Sequence, residues 1–177
     1  MVIVITGPIA SGKSTVAHAL ARELASRDVP APVIDLDIVH DELVADGSAS
    51  DDAAWTLARQ SLARAVGTFV RNGSAVVIAD GSFNLPADRA TLREGLNAAA
   101  GLVYVTLLVS FDEALRRAQG DPTRGRSRDP EFLRRHFAAR RDALDNAPAS
   151  DIVIDTERTT PTAIAATIVR LVPASAI

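Results

Sequence analysis

The chain has 177 residues, a net charge of −3 and no cysteine, a length that suits one domain and leaves little material for a second hydrophobic core. Without cysteine there are no disulfides, thiolate metal sites or cysteine nucleophiles, and the acidic balance argues against a protein that mainly coats nucleic acid. No apolar run approaches the ~20 residues that span a bilayer, and the first residues lack the pattern of a signal peptide. We therefore expect no membrane contact and a cytoplasmic location.

Short apolar runs rich in β-branched residues recur along the chain and predict strands. They cover residues 2–6, 32–35, 75–80, 102–109 and 151–155. Amphipathic or alanine-rich stretches lie between them and predict helices at 13–27, 51–71, 87–99, 130–145 and 161–171. Continuous apolar strands that alternate with helices indicate a parallel sheet covered on both faces. We predict a three-layer α/β fold, organised as a single domain over residues 1–177.

The first predicted strand leads directly into GPIASGKST at residues 7–15. This segment fits GxxxxGK[ST] between a strand and a helix, which is the context of a phosphate-binding P-loop. The two glycines let backbone N–H groups converge on phosphate oxygens, and the following helix adds the positive end of its dipole. A glycine-rich turn that binds nothing is the alternative interpretation. The predicted nucleotide-binding residues of the loop are Gly7, Pro8, Ile9, Ala10, Ser11, Gly12, Lys13, Ser14 and Thr15.

Lysine occurs once in the chain, at Lys13, and every other basic residue except histidine is arginine. A compact ammonium group can reach the β- and γ-phosphates inside such a loop, where a planar guanidinium would not fit. We therefore assign Lys13 a catalytic role. The Ser14 hydroxyl is predicted to bind Mg²⁺, and Thr15 can contact the α-phosphate.

Asp35 and Asp37 follow the second predicted strand, at the edge where open α/β sheets bind ligands. If this segment is extended, alternation places both carboxylates on the same side. We predict that one of them holds the water shell of the metal and that the other accepts the proton of an attacking hydroxyl group. The alternative is that one of them is the N-cap of a helix that begins near Ile38.

Asp80 ends the third predicted strand, the usual position of an acid that orients the metal in P-loop proteins, and we include it among the substrate-binding residues. Its alternative role is a cap of the turn before Ser82. Arg59 is a further candidate substrate-binding residue, which could pair with an anionic acceptor or with a surface acid. Trp55 lies at helical spacing with apolar neighbours, which favours core packing over substrate stacking.

Residues 116–141 contain nine arginines and three acidic residues, a net charge of +6 that leaves −9 on the rest of the chain. The central part, residues 120–130, has turn formers and no apolar periodicity, so we predict a mobile lid loop that closes on polyphosphate. The arginines of the helix that follows are interpreted mainly as a solvated surface. Three arginines flank or occupy this loop, and we predict that they contact the bound nucleotide or its transferred phosphoryl group, with Arg128 among the nucleotide-binding residues: Arg117, Arg124 and Arg128.

With the late segment DTERTTP at residues 155–161, these motifs make the chain resemble the small P-loop metabolite kinases of the shikimate and gluconate kinase group, and more loosely chloramphenicol phosphotransferase. The resemblance implies a five-stranded parallel sheet of order 2-3-1-4-5, ATP with Mg²⁺, and a small hydroxylated substrate. It also implies that Asp35 supports the metal and that Asp37 contacts the substrate hydroxyl group and accepts its proton. An adenine-stacking arginine and a lid arginine are implied at the spacing of Arg117 and Arg124, which gives Arg117 to nucleotide binding and Arg124 to catalysis. The implied adenine loop includes Thr156 and Pro161. The glycine-rich turn that receives shikimate is absent, and ADGSFN stands in its place.

These residues predict an ATP-dependent phosphotransferase that moves the γ-phosphate to a hydroxyl group of a small metabolite or antibiotic. A 5′-hydroxyl polynucleotide kinase also pairs a P-loop with an early aspartate, but it needs a basic, aromatic-lined groove. With 4% aromatic residues, we do not expect nucleic acid as a partner. A nucleotide-dependent regulatory ATPase is the second alternative. The sequence leaves open the acceptor, the choice of ATP or GTP, and the oligomeric state.

Overall fold

The structure is a computed structural model that describes residues 1–45, 51–96, 100–145 and 149–172, with the backbone alone for 51–52 and 140–145. Five strands form one sheet, in which every pair of neighbours is parallel. The strands are β1 (Val2–Thr6), β2 (Val33–Asp35), β3 (Val77–Asp80), β4 (Leu102–Leu108) and β5 (Ile152–Asp155). Their order is β2-β3-β1-β4-β5, which confirms the predicted topology.

Helices cover both faces of this sheet. They are α1 (Lys13–Ala25), α2 (Leu36–Ala45), α3 (Asp51–Arg71), α4 (Pro86–Glu94), α5 (Phe111–Gly120), α6 (Pro130–Asp145) and α7 (Pro161–Leu171). Alternate side chains of the fully buried β1 enter two different cores: Ile3 and Ile5 pack with α1 and α7, whereas Val2 and Val4 pack with α3 and α4. The three-layer fold is therefore confirmed, and none of the described helices is long and apolar enough to cross a membrane.

The register of the central strands brings the candidate acids together. Asp35 at the end of β2 pairs with Asp80 at the end of β3, and Asp80 is also level with Ile5 on β1. Because β1 runs straight into the P-loop, the loop and both carboxylates lie at the carboxyl edge of the sheet, where ligands bind in open α/β folds.

Two helices differ from the predicted elements. The segment that contains Asp37 is not extended, because β2 ends at Asp35 and α2 begins at Leu36; the prediction of two alternating carboxylates on one strand is wrong. The helix α5 was not predicted, although Ser110 and Glu113 carry its signature. The Ser110 hydroxyl accepts the Glu113 N–H at 3.3 Å, the first half of a capping box.

The segment of residues 120–130, called the lid segment below, contains short 3-10 turns over Pro122–Arg128 where the sequence predicted an irregular loop. The Asp121 carboxylate starts them by accepting the Thr123 N–H at 3.0 Å, and Pro122 supplies a φ suited to the first turn. Gly125, with φ of 46°, interrupts them. Closure of this segment stays a prediction.

Candidate active site

The loop between β1 and α1 forms a tight cradle. A Cβ at Gly7 would lie 2.6 Å from Ser11 Oγ and 2.8 Å from the Leu107 carbonyl oxygen, so no larger residue fits there. Gly12 has φ of 89° and Ala10 has φ of 60°, both in the left-handed region that favours glycine. Within the described residues, the buried Ser11 Oγ has no hydrogen-bond partner. The cradle therefore holds a polar group that a ligand can satisfy.

The N-terminus of α1 opens onto this cradle without a side-chain cap. The first bond between loop and helix runs from the Val16 N–H to the Gly12 carbonyl at 2.9 Å, so the first three N–H groups of the helix have no acceptor within it. These donors and the helix dipole suit an anion. The Lys13 ammonium donates to the Pro8 carbonyl at 3.3 Å, which holds its positive charge over the same loop. The geometry fits a polyphosphate.

The two predicted metal-binding residues lie together. The Ser14 hydroxyl donates to Oδ2 of Asp35 at 3.2 Å, while Oδ1 of Asp35 accepts the Asp37 N–H at 2.8 Å. Asp35 therefore caps α2 with one oxygen and faces Ser14 with the other. In the described parts of the chain, no group of three or more His, Asp or Glu side chains could hold a metal ion. Mg²⁺ would thus need water and phosphate oxygens beside Ser14, as it does in many nucleotide sites.

Asp37 stands in the first turn of α2 and keeps contact with solvent. The surrounding protein still desolvates its carboxyl group, and this burial raises the pKa of Asp37 despite the opposing charge of Lys13. The nearby charges of Asp35 and Asp41 raise the pKa further, whereas His40 lowers it. A carboxylate with a raised pKa is a better proton acceptor near neutral pH.

Asp80 is 1% exposed, and neither of its carboxylate oxygens has a hydrogen-bond partner within the described residues. It does not cap the turn before Ser82, which was its alternative role. Burial raises the pKa of Asp80 to about 7, against the opposing effects of Lys13 and the Ser14 hydroxyl. A buried carboxyl group without a donor requires an explanation, and a position beside a phosphate cradle supplies one: a bound ligand or its metal-linked water can donate to it.

Arg117 on α5 connects the P-loop with the loop from β5 to α7, two loops that are together called the nucleotide side below. Its guanidinium donates to the Ala10 carbonyl of the P-loop at 3.3 Å, to the Thr156 carbonyl at 2.9 Å and to Thr156 Oγ1 at 3.1 Å. Its Nε donates to Glu113 at 2.7 Å, and the side chain is 24% exposed. The predicted adenine-side arginine is thus held between the P-loop and the loop from β5 to α7.

The loop from β5 to α7 is itself well anchored. The N–H and the hydroxyl of Thr156 both donate to the Leu108 carbonyl at 3.0 Å. Glu157 accepts the Ser110 N–H at 2.7 Å, which ties the same loop to the start of α5. Pro161 is the first residue of α7. Thr156 and Pro161 therefore lie at the two ends of a hydrogen-bonded loop, and Thr156 contacts Arg117; base binding by this loop stays a prediction.

The other predicted arginines lie apart from the P-loop. Arg124 Nε is 3.2 Å from Asp121 Oδ2 in an ion pair within its own turn, and Arg128 is exposed. The hydrogen bonds of the described residues link neither guanidinium to the P-loop, so the catalytic role of Arg124 and nucleotide binding by Arg128 stay predictions. The side chains of Arg140 and Arg141, assigned to a solvated surface, lie outside the described residues.

Arg59 on α3 has an acidic partner in the protein. Its Nε is 3.0 Å from Oδ1 of Asp88 on α4, and the two side chains are 22% and 12% exposed. Arg59 also donates to the Trp55 carbonyl at 3.2 Å, with its guanidinium 5.9 Å from the centre of the Trp55 ring. The Trp55 ring also stacks on the His40 ring, with 3.8 Å between the ring centres, and Trp55 packs against the core. These contacts favour internal pairing of Arg59 and core packing of Trp55.

Several contacts of the site involve residues that sequence reasoning missed. Thr6 Oγ1 accepts the Phe83 N–H and donates to Asn84 Oδ1, both at 3.1 Å, which fixes the β3–α4 loop to the end of β1. Glu113 pairs with Arg117, and Asp88 pairs with Arg59. Only Glu113 had a local signal, the capping-box spacing SFDE; the others depend on contacts between distant parts of the chain.

Solved structures with the same fold include several small-molecule kinases. A sugar kinase from Janibacter sp. HTCC2649 is 21% identical with a TM-score of 0.70, over 99% of this chain and 98% of that chain. The shikimate kinase from Aquifex aeolicus vf5 is 20% identical with a TM-score of 0.62, over 100% and 99%. A gluconokinase from Sinorhizobium meliloti 1021 is 23% identical with a TM-score of 0.59, over 96% and 87%. At these identities the likeness shows a shared fold, that of the small P-loop metabolite kinases.

No curated protein matches the sequence significantly. The family model AAA_33, described as an AAA domain, matches residues 2–151, which include the P-loop, both acids of the DLD segment, Asp80 and the arginine segment. Since this match covers most of the 177 residues, the chain belongs to the AAA_33 family of P-loop domains.

Proposed function

We propose that the protein is an ATP- and Mg²⁺-dependent phosphotransferase that moves the γ-phosphoryl group of ATP to a hydroxyl group of a small molecule. The observation that carries this proposal is the position of Asp37. Its carboxyl group has a raised pKa and lies within the electrostatic reach of Lys13, so a proton acceptor stands beside the phosphate cradle. A simple nucleotide-binding protein has no need of that arrangement.

On the nucleotide side, the P-loop and Lys13 bind the phosphates. Ser14 would hold the metal through its hydroxyl group, and Asp35 would hold it through a water ligand of the metal. Bound Mg²⁺ neutralises phosphate charge in such sites. Arg117 and Thr156 border the adenine site, and Pro161 at the start of α7 belongs to the same adenine loop.

On the acceptor side, the oxygen of the substrate hydroxyl attacks the γ-phosphorus and its proton passes to the Asp37 carboxylate. The bond from the γ-phosphorus to the β,γ-bridging oxygen breaks, and ADP leaves. Lys13 stabilises the charge that develops on the transferred group. Asp80 accepts a hydrogen bond from the substrate or from a metal-bound water, which satisfies its buried oxygens.

The lid segment is proposed to close over this site as part of a single kinase domain that extends over residues 1–177. Arg124 would leave Asp121 and contact the transferred phosphoryl group, and Arg128 would contact the nucleotide. Closure excludes water, which would otherwise compete with the acceptor hydroxyl.

The test is a transfer assay with Mg²⁺-ATP and a pool of sugars, nucleosides, antibiotics and other small alcohols, read by mass spectrometry as the gain of one phosphate. We expect at least one product, and a loss of about 10³-fold in transfer rate for Asp37→Asn, because general base catalysis typically contributes 10²–10⁴-fold. ATP affinity, measured by calorimetry, should change less than about twofold. The matched control is Asp41→Asn, one turn further along α2 and 84% exposed, which should keep most of the activity.

Other outcomes would favour other functions. Transfer that survives in Asp37→Asn would exclude this residue as the base. Transfer only to the 5′-hydroxyl of oligonucleotides would identify a polynucleotide kinase. Slow ATP hydrolysis that no alcohol accelerates, together with nucleotide-dependent binding of a protein, would identify a regulatory ATPase.

A further inference from the structure

The acceptor side of the sheet edge is poor in positive charge. No lysine or arginine occurs from residue 28 to residue 58 or from residue 72 to residue 88, whereas seven acidic residues lie between residues 35 and 58. These stretches contain β2, α2, the start of α3 and the β3–α4 connection, which are the elements that surround Asp37 and Asp80. Apart from the arginines of the lid segment, a cation for an anionic acceptor would therefore have to come from α3.

A continuous set of contacts leads from Asp37 to that cation. His40 lies three residues after Asp37 on α2, so the two side chains share one face of this helix. The His40 ring stacks on Trp55 with an angle of 17° between the rings, and Trp55 in turn contacts Arg59. Arg59 is thus the basic residue of α3 on the acceptor side. Arg64 and Arg71 follow in the half of α3 that leads away from this edge, because the chain must return through β3 to end at Asp80.

Arg59 is already neutralised. Asp88 lies 3.0 Å from it, and both side chains are largely removed from solvent. Oδ2 of Asp88 accepts the Leu85 N–H at 3.2 Å, so the carboxylate is held in place by the start of α4. The next arginine, Arg89, is directed elsewhere: it donates to the Phe83 and Ala149 carbonyls.

Two of the exposed side chains near these charges are apolar. Ile38, directly after Asp37, is 59% exposed, and Leu85, at the start of α4, is 46% exposed. An anion at this edge would meet apolar surface and unpaired carboxylates, which repel it. A neutral or cationic molecule would meet no such penalty.

We propose that Asp88 is a specificity-determining residue, and that by neutralising Arg59 it restricts the acceptor to alcohols without an anionic group. This inference rests on the proposed phosphotransferase function. It identifies the substrate class as uncharged or amine-bearing alcohols, and it excludes hydroxy acids and phosphorylated sugars. A binding site can discriminate between substrates by repelling the wrong one as well as by attracting the right one.

The experiment compares alcohols of similar size and different charge: glucose, glucosamine and glucuronate, and glycerol, serinol and glycerate. Binding is measured by saturation-transfer NMR with Mg²⁺ and a non-hydrolysable ATP analogue, and transfer is measured by mass spectrometry with ATP. We expect that the two acids neither bind nor gain phosphate. In Asp88→Asn, which keeps an oxygen for the Leu85 N–H, the affinity for the acids should rise at least about tenfold because Arg59 is released.

Two controls make this gain specific. Asp112→Asn on α5 removes the same charge from an acid outside the acceptor elements and should give no gain, and Arg59→Gln combined with Asp88→Asn should cancel it. Tighter binding of an acid than of its neutral counterpart by the unmodified protein would overturn the inference, as would the absence of a gain in Asp88→Asn. If no alcohol is phosphorylated while ATP still binds, the proposed function fails, and the binding comparison still decides the charge selection.

Discussion

The nucleotide side and the acceptor side of the same sheet edge differ in how their polar groups are satisfied. On the nucleotide side, Arg117 donates to the P-loop and to Thr156, and Glu113 holds it in place. On the acceptor side, both oxygens of Asp80 have no partner within the described residues, and Asp37 has a raised pKa. One side is organised by internal hydrogen bonds, whereas the other leaves the oxygens of a buried acid without a donor among the described residues.

This difference matters for catalysis and for stability. Preorganised donors cost little to arrange when the nucleotide binds. The buried Asp80 opposite them destabilises the unliganded fold when it is ionised, because desolvation disfavours its charged form. Proteins commonly accept such a cost at functional sites. The four predictions below test the contrast, from the largest expected effect to the smallest.

Replacement of the lysine should have the largest effect. We expect Lys13→Met to reduce nucleotide turnover by about 10³-fold, since it removes the charge that stabilises the transferred phosphoryl group. Lys13→Arg should lose nearly as much, because the guanidinium does not fit the cradle. The measurement is the rate of ADP formation. Arg27→Ala, which removes an exposed cation at the end of the same helix, should leave the rate unchanged; a similar loss there would point to general charge effects.

Replacement of Asp80 should stabilise the unliganded protein. The folded-state pKa of about 7 lies above the ordinary value of 3.8, so between these values the folded state binds more protons and the free energy of unfolding falls as pH rises. Asp80→Asn removes a cost of up to about 4 kcal/mol above pH 7. We expect its Tm, without Mg²⁺ or nucleotide, to exceed that of the unmodified protein by several degrees at pH 8.

The same comparison at low pH provides the control. Well below the ordinary pKa of 3.8 the carboxyl group is protonated in both states, so the Tm difference should be small at pH 4 and disappear at still lower pH. A difference that is equal at pH 4 and pH 8 would mean that packing, and not charge, explains it. Transfer activity should fall despite the higher Tm, as expected where function and stability conflict.

Replacement of Arg117 should weaken nucleotide binding by about tenfold, because it removes charge-assisted hydrogen bonds between the P-loop and Thr156. The measurement is calorimetric titration with an ATP analogue in the presence of Mg²⁺. Arg116→Gln is the matched control, since Arg116 pairs with the same Glu113 and is 72% exposed. Equal losses in Arg117→Gln and Arg116→Gln would contradict the role given to Arg117.

The smallest effect concerns Glu113, which positions Arg117 by accepting a hydrogen bond from its Nε. Hydrogen bonds from Arg116 and Arg117 lower the pKa of Glu113 to about 2, so it stays ionised throughout the neutral range. Glu113→Gln keeps an acceptor oxygen but loses the charge, and we expect a decrease of about threefold in nucleotide affinity. Because Arg117 is the mediator, Glu113→Gln should have no further effect in the Arg117→Gln background, as a double-mutant cycle would measure.

Much of the fold could be predicted from local patterns. Apolar runs located the five strands, and the P-loop signature located the helix that follows β1, because these features depend on periodicity and on glycine at two constrained positions. The start of α2 was predicted wrongly. The sequence DLD fits both an extended pair of acids and the capped start of a helix, and we predicted the extended pair. The lid segment has no periodicity, so its 3-10 turns, which depend on Asp121 and Gly125, were not predictable.

The candidate site divides in the same way. The residues proposed to bind phosphate and to accept a proton were selected from the sequence, because their chemistry is tied to motifs and strand ends: Lys13, Ser14 and the acids after β2 and β3. Their roles stay predictions. The partners of Arg59 and Arg117 could not be selected in this way. The sequence left Arg59 with either a substrate anion or a surface acid, and the packing of α3 against α4 put Asp88 beside it. Charge pairing of this kind depends on distances between elements far apart in the chain, so only the tertiary structure decides it.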